Sequence, residues 1–145
     1  MIIRRILVAL DNSNFANKVM FQALELAKVY QAQLFAVSVI DYSVLGEIDE
    51  SSPSPVITDK IYSWTNSFQE MLDKCKQLAG VFGIEHYQTM LSGNPAKEII
   101  KYAEENNIDL IVLGHVGKTG VAGLLLGSVS QKVSAHCKCS VVIVK

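Results

Sequence analysis

The sequence predicts an α/β fold in which five parallel strands form a sheet that is covered by helices on both faces. Short apolar runs alternate with longer segments of helical periodicity along all 145 residues. Most of these runs are continuously apolar, as in strands buried on both faces, whereas the run at residues 85–91 is more amphipathic. The chain also has the length of one domain, residues 1–145, because domains commonly contain roughly 100–150 residues.

The first half of the chain contains two predicted strands and a helix. An apolar run over residues 6–10 predicts the first strand, which Asp11 ends. The polar residues 11–14 predict a turn and the N-cap of a helix over Ala16–Tyr30, where apolar residues recur at helical spacing. The second strand covers residues 34–40 and ends at Asp41.

Residues 42–58 are acidic and rich in serine and proline, which predicts an irregular segment. It is either a flap over a ligand or a solvated linker. A helix is predicted over residues 59–81, with an apolar face that includes Trp64, Phe68 and Cys75, and with Gly80 and Gly83 at its end.

The second half of the chain continues the alternation. A third strand is predicted over residues 85–91. Asn94 predicts a helix cap and Pro95 the first residue of a helix that extends to about Asn106. The remaining elements are a fourth strand over residues 108–113, a helix over residues 129–135 and a fifth strand over residues 140–145.

Composition excludes several classes of function. The 13 basic and 14 acidic side chains nearly cancel, so the sequence does not predict a nucleic-acid partner. No apolar run approaches the roughly 18 residues of a membrane span, so we expect no membrane association. The 3 cysteines are too few and odd in number for a disulfide framework, which favours the reducing cytoplasm.

Glycines between the fourth strand and the last helix predict a phosphate site. Gly114, Gly117 and Gly127 are spaced as Gly-x2-Gly-x9-Gly, and Ser128 follows directly. Glycines let backbone amides approach an anion, and a helix start offers unpaired donors. The spacing differs from the Walker and dinucleotide-binding patterns. If the first and fourth strands are neighbours, Asp11 faces Gly114 across the ligand crevice.

The glycine spacing occurs together with strand motifs that are similar to a known family. These are Ile-Leu-Val-Ala-Leu-Asp at 6–11, Val-Ser-Val-Ile-Asp at 37–41, Asp-Leu-Ile-Val-Leu-Gly at 109–114, Leu-Gly-Ser-Val-Ser at 126–130 and Val-Val-Ile-Val at 141–144. On these motifs the chain resembles the universal stress protein family, of the type that binds ATP. The resemblance implies a Rossmann-like sheet of strand order 3-2-1-4-5 and a bound ATP, ADP or AMP.

The resemblance also implies roles for individual residues. Asp11 would contact the ribose or a water bound to Mg²⁺ or Mn²⁺, and the Val39 backbone would contact adenine. The pocket and the phosphate site would be formed by Leu113, Gly114, Gly117, Gly127, Ser128, Val129 and Ser130. The chemistry of the two serines is consistent with these roles, because serine hydroxyls can donate hydrogen bonds to phosphate. Lys118 either adds positive charge near the phosphates or is a solvated loop lysine.

Structural interpretations of the same residues stay open. Ser128 and Gln131 also fit a capping box, and Asp11 fits a simple turn. His115 fits an exposed turn histidine better than a phosphate ligand. The cluster of His136, Cys137 and Cys139 fits a structural role better than a zinc site, because a fourth ligand at zinc spacing is missing from the sequence.

Three functions compete. The chain is an ATP-binding regulator in stress response, a slow ATPase or self-phosphorylating enzyme, or a nucleotide-free stress dimer. We favour the first, because the glycine spacing is retained and the sequence lacks an evident catalytic arrangement. We also predict a homodimer through residues 141–144, which are apolar on both faces; the family resemblance implies pairing of the same strand.

Overall fold

The computed structural model describes residues 1–45, 55–115 and 126–145. Five strands are present in this part of the chain: β1 Arg5–Ala9, β2 Gln33–Ile40, β3 His86–Ser92, β4 Leu110–Gly114 and β5 Ser140–Val144. They form a parallel sheet in the order β3-β2-β1-β4-β5, which confirms the predicted fold class and strand order.

Helices cover both faces of the sheet. The four α-helices of the described residues are α1 Ala16–Tyr30, α2 Pro55–Val81, α3 Pro95–Glu105 and α4 Ser128–His136. Side chains of α1 and α2 share an apolar core with Ile6 and Val8, whereas those of α3 and α4 share a second core with Leu7. Successive residues of β1 thus enter opposite cores, which explains why residues 6–9 are all apolar.

The long helix α2 has the apolar face that its sequence predicts. Phe68, Leu72 and Cys75 are buried, whereas Trp64 is half-buried. Burial raises the pKa of the Cys75 thiol to about 12, as expected of a core cysteine. None of the helices in the described ranges is both long and apolar enough to cross a membrane.

The ends of α1, α2 and α3 follow a common backbone pattern. At the end of α2, Gly83 has a φ of +69° and its amide bonds to the Gly80 carbonyl, while Ile84 bonds back to Ala79. This is a Schellman motif, which favours glycine at the left-handed position. Gln31 and Asn107, with φ of 53° and 52°, end α1 and α3 in the same way. The sequence indicated only the glycine case.

The prediction for residues 42–58 is wrong at both ends. Tyr42–Leu45 form a short 3-10 helix, and α2 begins at Pro55, four residues before the predicted start. Proline suits the first helical position because the amide it lacks would be unpaired there anyway. The flap or linker expected between these elements falls on residues 46–54, which lie outside the described residues.

Candidate functional site

The candidate site lies where β1 and β4 end side by side. The two strands pair in parallel, with Val8 opposite Val112, so Leu10 and Gly114 both lie at the carboxyl-terminal end of the strands. The chain runs from β1 to β2 on one side and reaches β4 on the other, which makes this end of the strands the topological switch point. Ligand crevices of open α/β sheets form at such points.

The turn after β1 leaves polar side chains without partners. Asp11 Oδ1 accepts a hydrogen bond of 2.9 Å from the Ser13 amide. Asn12 Oδ1 and Ser13 Oγ are buried but have no hydrogen-bond partner among the described residues. The predicted polar N-cap is wrong: the N-cap of α1 is Phe15, and it makes no side-chain cap bond. Residues 11–13 therefore shape a turn beside the crevice.

His115, directly after β4, connects three elements. Its amide donates to the Val144 carbonyl at 2.9 Å, and its carbonyl accepts from the Gly127 amide at 2.6 Å. Its ring packs edge-on against Phe15, with centroids 5.5 Å apart. The ring is half-buried and its Nδ1 has no partner among the described residues, so the expectation of an exposed turn histidine is wrong.

The start of α4 supplies unpaired donors. Its N-cap is Gly127, and the first intrahelical bond runs from the Gln131 amide to the Gly127 carbonyl at 2.9 Å. The amides of residues 128–130 therefore have no partner in the helix, and they lie at its positive end. Ser128 is the first helical residue and not the cap, so the capping-box interpretation is wrong.

The two serines of this helix start have different environments. Ser128 is exposed, and its hydroxyl makes no hydrogen bond within the described part of the chain. Ser130 is only 4% exposed, and its hydroxyl donates to the Gly114 carbonyl. The expectation that both hydroxyls could donate to a phosphate is therefore wrong for Ser130, which instead fastens α4 to the end of β4. Its backbone amide has no partner within α4.

The end of β2 lies beside the turn that follows β1. Ser38 is buried and its hydroxyl donates to the Leu10 carbonyl at 2.7 Å, while the Leu10 amide donates to Val37. Val39 is half-buried. Asp41 closes its own turn by accepting from the amide and hydroxyl of Ser43. Ser38, which sequence reasoning missed, is a single hydroxyl within an apolar run and holds the crevice floor together.

The structure describes eight of the ten predicted site residues. They lie at three strand ends and one helix start, all at the carboxyl-terminal end of the strands: Asp11, Val39, Leu113, Gly114, Gly127, Ser128, Val129 and Ser130. Gly117 and Lys118 lie outside the described residues. Sequence reasoning did not select Asn12 and Ser13, although short polar residues directly after a strand were the available signal.

Buried side-chain atoms without a hydrogen-bond partner among the described residues concentrate at this end of the strands. Of the four buried side-chain polar atoms that lack a partner among the described residues, three belong to Asn12, Ser13 and His115. Each such atom costs about 1–3 kcal/mol when nothing pairs with it. A polar ligand that supplies these partners would therefore be favoured at this end of the strands.

A second hollow lies at the opposite, amino-terminal end of the strands, and none of its lining residues has a buried polar side-chain atom without a partner among the described residues. It has a volume of about 480 Å³ and is lined by residues that include Lys28, Phe82 and Glu85. The Lys28 ammonium lies 5.2 Å from the centroid of the Phe82 ring, and Glu85 accepts from Gln33 and Tyr87. Because both charged groups already have partners, the hollow is the weaker candidate for a ligand site.

The comparisons with known proteins agree on one family. Residues 3–145 match the sequence model of the universal stress protein family. Universal stress protein MJ0531 of Methanocaldococcus jannaschii is 33% identical over 142 residues, which are 98% of this chain and 82% of that protein. The solved structure of universal stress protein UspA from Lactobacillus plantarum superposes with a TM-score of 0.81 at 25% identity, over 98% of this chain and 97% of the other.

Two further solved structures contain adenine nucleotides. A universal stress protein in complex with cAMP is 24% identical, with a TM-score of 0.74 over 100% of this chain and 99% of the other. The protein from Archaeoglobus fulgidus in complex with dAMP is 21% identical, with a TM-score of 0.69 over 100% of both chains. At these identities the likeness shows the fold, and the ligands are those of the proteins named.

Proposed function

Because this chain belongs to the universal stress protein family, we propose that it binds an adenine nucleotide and acts as a nucleotide-dependent regulator in a cytoplasmic stress response. The ligand is ATP or its relatives ADP and AMP. The observation that carries the proposal is that amides 128–130, which have no partner within α4, meet buried polar atoms after β1 and β4 that lack a partner among the described residues. The complexes of related proteins with cAMP and dAMP support an adenine ligand.

The phosphates bind at the start of α4 in this proposal. The amides of Ser128, Val129 and Ser130 donate to phosphate oxygens, and the positive end of the helix favours the negative charge. Ser128 adds its exposed hydroxyl, and Gly127 leaves room for the phosphate to approach. Gly117 and Lys118, from outside the described residues, complete the phosphate site.

The nucleoside binds between the ends of β1, β2 and β4. Asp11 uses one carboxylate oxygen in its turn, and the other accepts a hydrogen bond from a ribose hydroxyl. The backbone of Val39 contacts the adenine edge. Leu113, which is 3% exposed, and Gly114 form the wall of the pocket through their backbone.

A divalent metal fits the same arrangement. Mg²⁺ or Mn²⁺ is commonly held by one or two carboxylates together with phosphate oxygens and water. Asp11 would supply such a carboxylate in place of its contact with the ribose. When bound, the metal would neutralise phosphate charge, so it would strengthen the binding of ATP more than that of AMP.

Calorimetric titration with ATP, ADP and AMP tests the proposal on the wild type and on a Gly127→Val variant. Gly127 has φ −59° and ψ 154°, a region open to valine, so the variant should fold. Its branched side chain would block the phosphate. Losing two hydrogen bonds to a charged group, each about 1.5–3 kcal/mol, lowers affinity by about 100-fold or more.

The matched control is Gly80→Ala, another glycine substitution far from the site. An added Cβ at Gly80 has no neighbouring atom within 4 Å, so binding should be unchanged. Equal nucleotide affinity in the Gly127→Val variant and the wild type would remove this helix start from the proposal.

The fate of the bound nucleotide separates regulator from enzyme. We expect ATP to remain intact during incubation with the protein. Steady formation of ADP above a protein-free control would favour the slow ATPase, and phosphate on the chain itself would favour the self-phosphorylating enzyme. An absence of affinity for all three nucleotides would favour the nucleotide-free dimer.

We also infer a homodimer through β5. This strand lies at an edge of the sheet, and Val141 to Ile143 are only half-buried. An apolar edge strand exposes unpaired backbone groups that a second copy of the same strand can pair and cover.

A further inference from the structure

Two cysteines lie together at the junction between α4 and β5. The helix ends at His136 and the strand begins at Ser140, so Cys137 and Cys139 belong to neither element. The Cys137 amide closes the helix by donating to the Val133 carbonyl at 2.9 Å, and its backbone is extended. The intervening residue, Lys138, is exposed and pairs with Glu104 at 3.6 Å. The side chains can therefore rearrange without breaking either element.

The two thiol groups are close enough to interact. Cys137 Sγ lies 3.2 Å from the carbonyl oxygen of Cys139, so the first thiol leans toward the second residue. Burial raises the pKa of the Cys139 thiol to about 11, and the adjacent Cys137 thiol contributes through its charge and a hydrogen bond. The backbone bends at Lys138 and Cys139, so the pair is not held in the fully extended form that would separate the two Cβ atoms beyond disulfide reach.

The third cysteine is separated from this pair. Cys75 lies in the core formed by α1 and α2, whereas Cys137 and Cys139 pack against the core on the opposite face of the sheet. Cys75 is 0% exposed, and the sheet lies between it and the pair. An oxidant would therefore act on Cys137 and Cys139 alone.

The surroundings favour a neutral oxidised product over a metal complex. Both sulfurs are half-buried against apolar side chains, and the Asp109 carboxylate acts on Cys139. Such surroundings disfavour thiolates, which a metal requires, but accept an uncharged disulfide. Within the described residues, no group of three or more His, Cys, Asp or Glu side chains is arranged to hold a metal.

We propose that Cys137 and Cys139 form a reversible intramolecular disulfide when glutathione disulfide is the oxidant. One thiolate attacks the oxidant, forming a mixed disulfide and releasing one glutathione. The other cysteine thiol loses its proton to solvent. Its thiolate attacks the protein sulfur of the mixed disulfide, which releases the second glutathione. Two thiols of the chain are thereby oxidised and one glutathione disulfide is reduced to two glutathiones.

The environment of the pair also predicts slow oxidation. Only the thiolate attacks, and it is scarce at neutral pH when the thiol pKa is raised. The rate of disulfide closure should therefore rise about 10-fold per pH unit on the acid side of that pKa.

Mass spectrometry of the intact, folded chain after incubation with glutathione disulfide tests this proposal. We expect the loss of two hydrogen atoms, reversal by dithiothreitol, and a fragment map that joins Cys137 to Cys139 and leaves Cys75 as a free thiol. Cys137→Ser and Cys139→Ser are matched controls, and both substitutions lie at half-buried positions. Each should instead accumulate the mixed disulfide with glutathione.

Two results would overturn the proposal. The wild-type chain would either keep glutathione attached as a mixed disulfide or stay fully reduced at a pH and time that oxidise an unfolded peptide of the same sequence. Circular dichroism of both serine variants must match the wild type, so that a change in reactivity reports the pair and not the fold.

Discussion

Ser130 joins two elements through a single hydroxyl. Its bond to the Gly114 carbonyl is partly buried, and both residues belong to the proposed nucleotide site. The Ser130→Ala variant should lose about 1–2 kcal/mol of unfolding free energy in urea, because a partly buried carbonyl loses its hydrogen-bond partner. Ser134→Ala is the control, since its hydroxyl bonds only within its own exposed helix.

The control should change the unfolding free energy by less than about 0.5 kcal/mol. If the two variants are equally stable, the hydroxyl of Ser130 does not fasten α4 to β4.

His86 makes the stability of the edge strand β3 depend on pH. Burial lowers its pKa below 6.5, and Lys76 lowers it further against the opposing hydrogen bond with Gln88. Its Nδ1 is buried without a partner among the described residues. The unfolded chain therefore takes up a proton more readily, and unfolding free energy should fall as the pH drops below 6.5 toward the lower folded pKa.

Urea unfolding at a series of pH values measures the slope of the unfolding free energy against pH. His86→Gln should flatten it, because a neutral amide keeps the polar contact and does not titrate. His136→Gln, at an exposed histidine, should leave the slope as in the wild type. An identical slope in His86→Gln and the wild type would contradict the assignment.

Sequence patterns selected proposed site residues that would act through their backbone more readily than those that would act through side chains. Gly114 and Gly127 were selected because glycine at fixed spacing is typical of close backbone approach. Asn12 and His115 were not, because a missing hydrogen-bond partner is a property of the folded neighbourhood. Ser130 was selected as a hydrogen-bond donor, but the sequence did not show that its hydroxyl donates to the Gly114 carbonyl, because that bond depends on how α4 packs.

At the scale of the element, the strands and helices followed from periodicity because each buries a defined face. The start of α2 was missed, since residues 51–58 are mostly small or polar and only Pro55 marks the first turn. The left-handed ends of α1 and α3 were missed for a related reason. Gln31 and Asn107 take this conformation because the Schellman bonds require it.

Two glycines at the end of α2 should respond in opposite directions to alanine. Gly80 lies within the helix with open space around its Cβ position, so Gly80→Ala should stabilise the fold by about 0.4–1 kcal/mol. Gly83 has a φ of +69°, so Gly83→Ala should destabilise it by about 1 kcal/mol. Urea midpoints measure both. Changes of the same sign would contradict the assigned helix end.

At the scale of the whole molecule, the strand order was predicted from the family resemblance. Alternating units alone indicate a parallel sheet, but they do not say which strand lies at each edge. The observed order leaves β3 and β5 at the edges of the sheet. A surface between two copies of the chain is not encoded in the periodicity of one copy, so the dimer stays a prediction.

Sedimentation equilibrium at micromolar concentration should give twice the chain mass. Val141→Lys on β5 should shift the protein to monomer, because a charge on an edge strand opposes pairing. Thr89→Lys, at a half-buried position on the other edge strand β3, should leave the dimer intact. A monomeric wild type, or equal effects of the two variants, would exclude β5 as the interface.

In the proposed function, the start of α4 and the turn after β1 bind an adenine nucleotide together. An amide proton–nitrogen correlation spectrum recorded during titration with ATP tests it most directly. We expect saturable shifts of the amides of residues 128–130 and of Asn12 and Ser13, with those around Lys28 and Glu85 unchanged. A spectrum that does not change, or one that shifts only around Lys28 and Glu85, would contradict it.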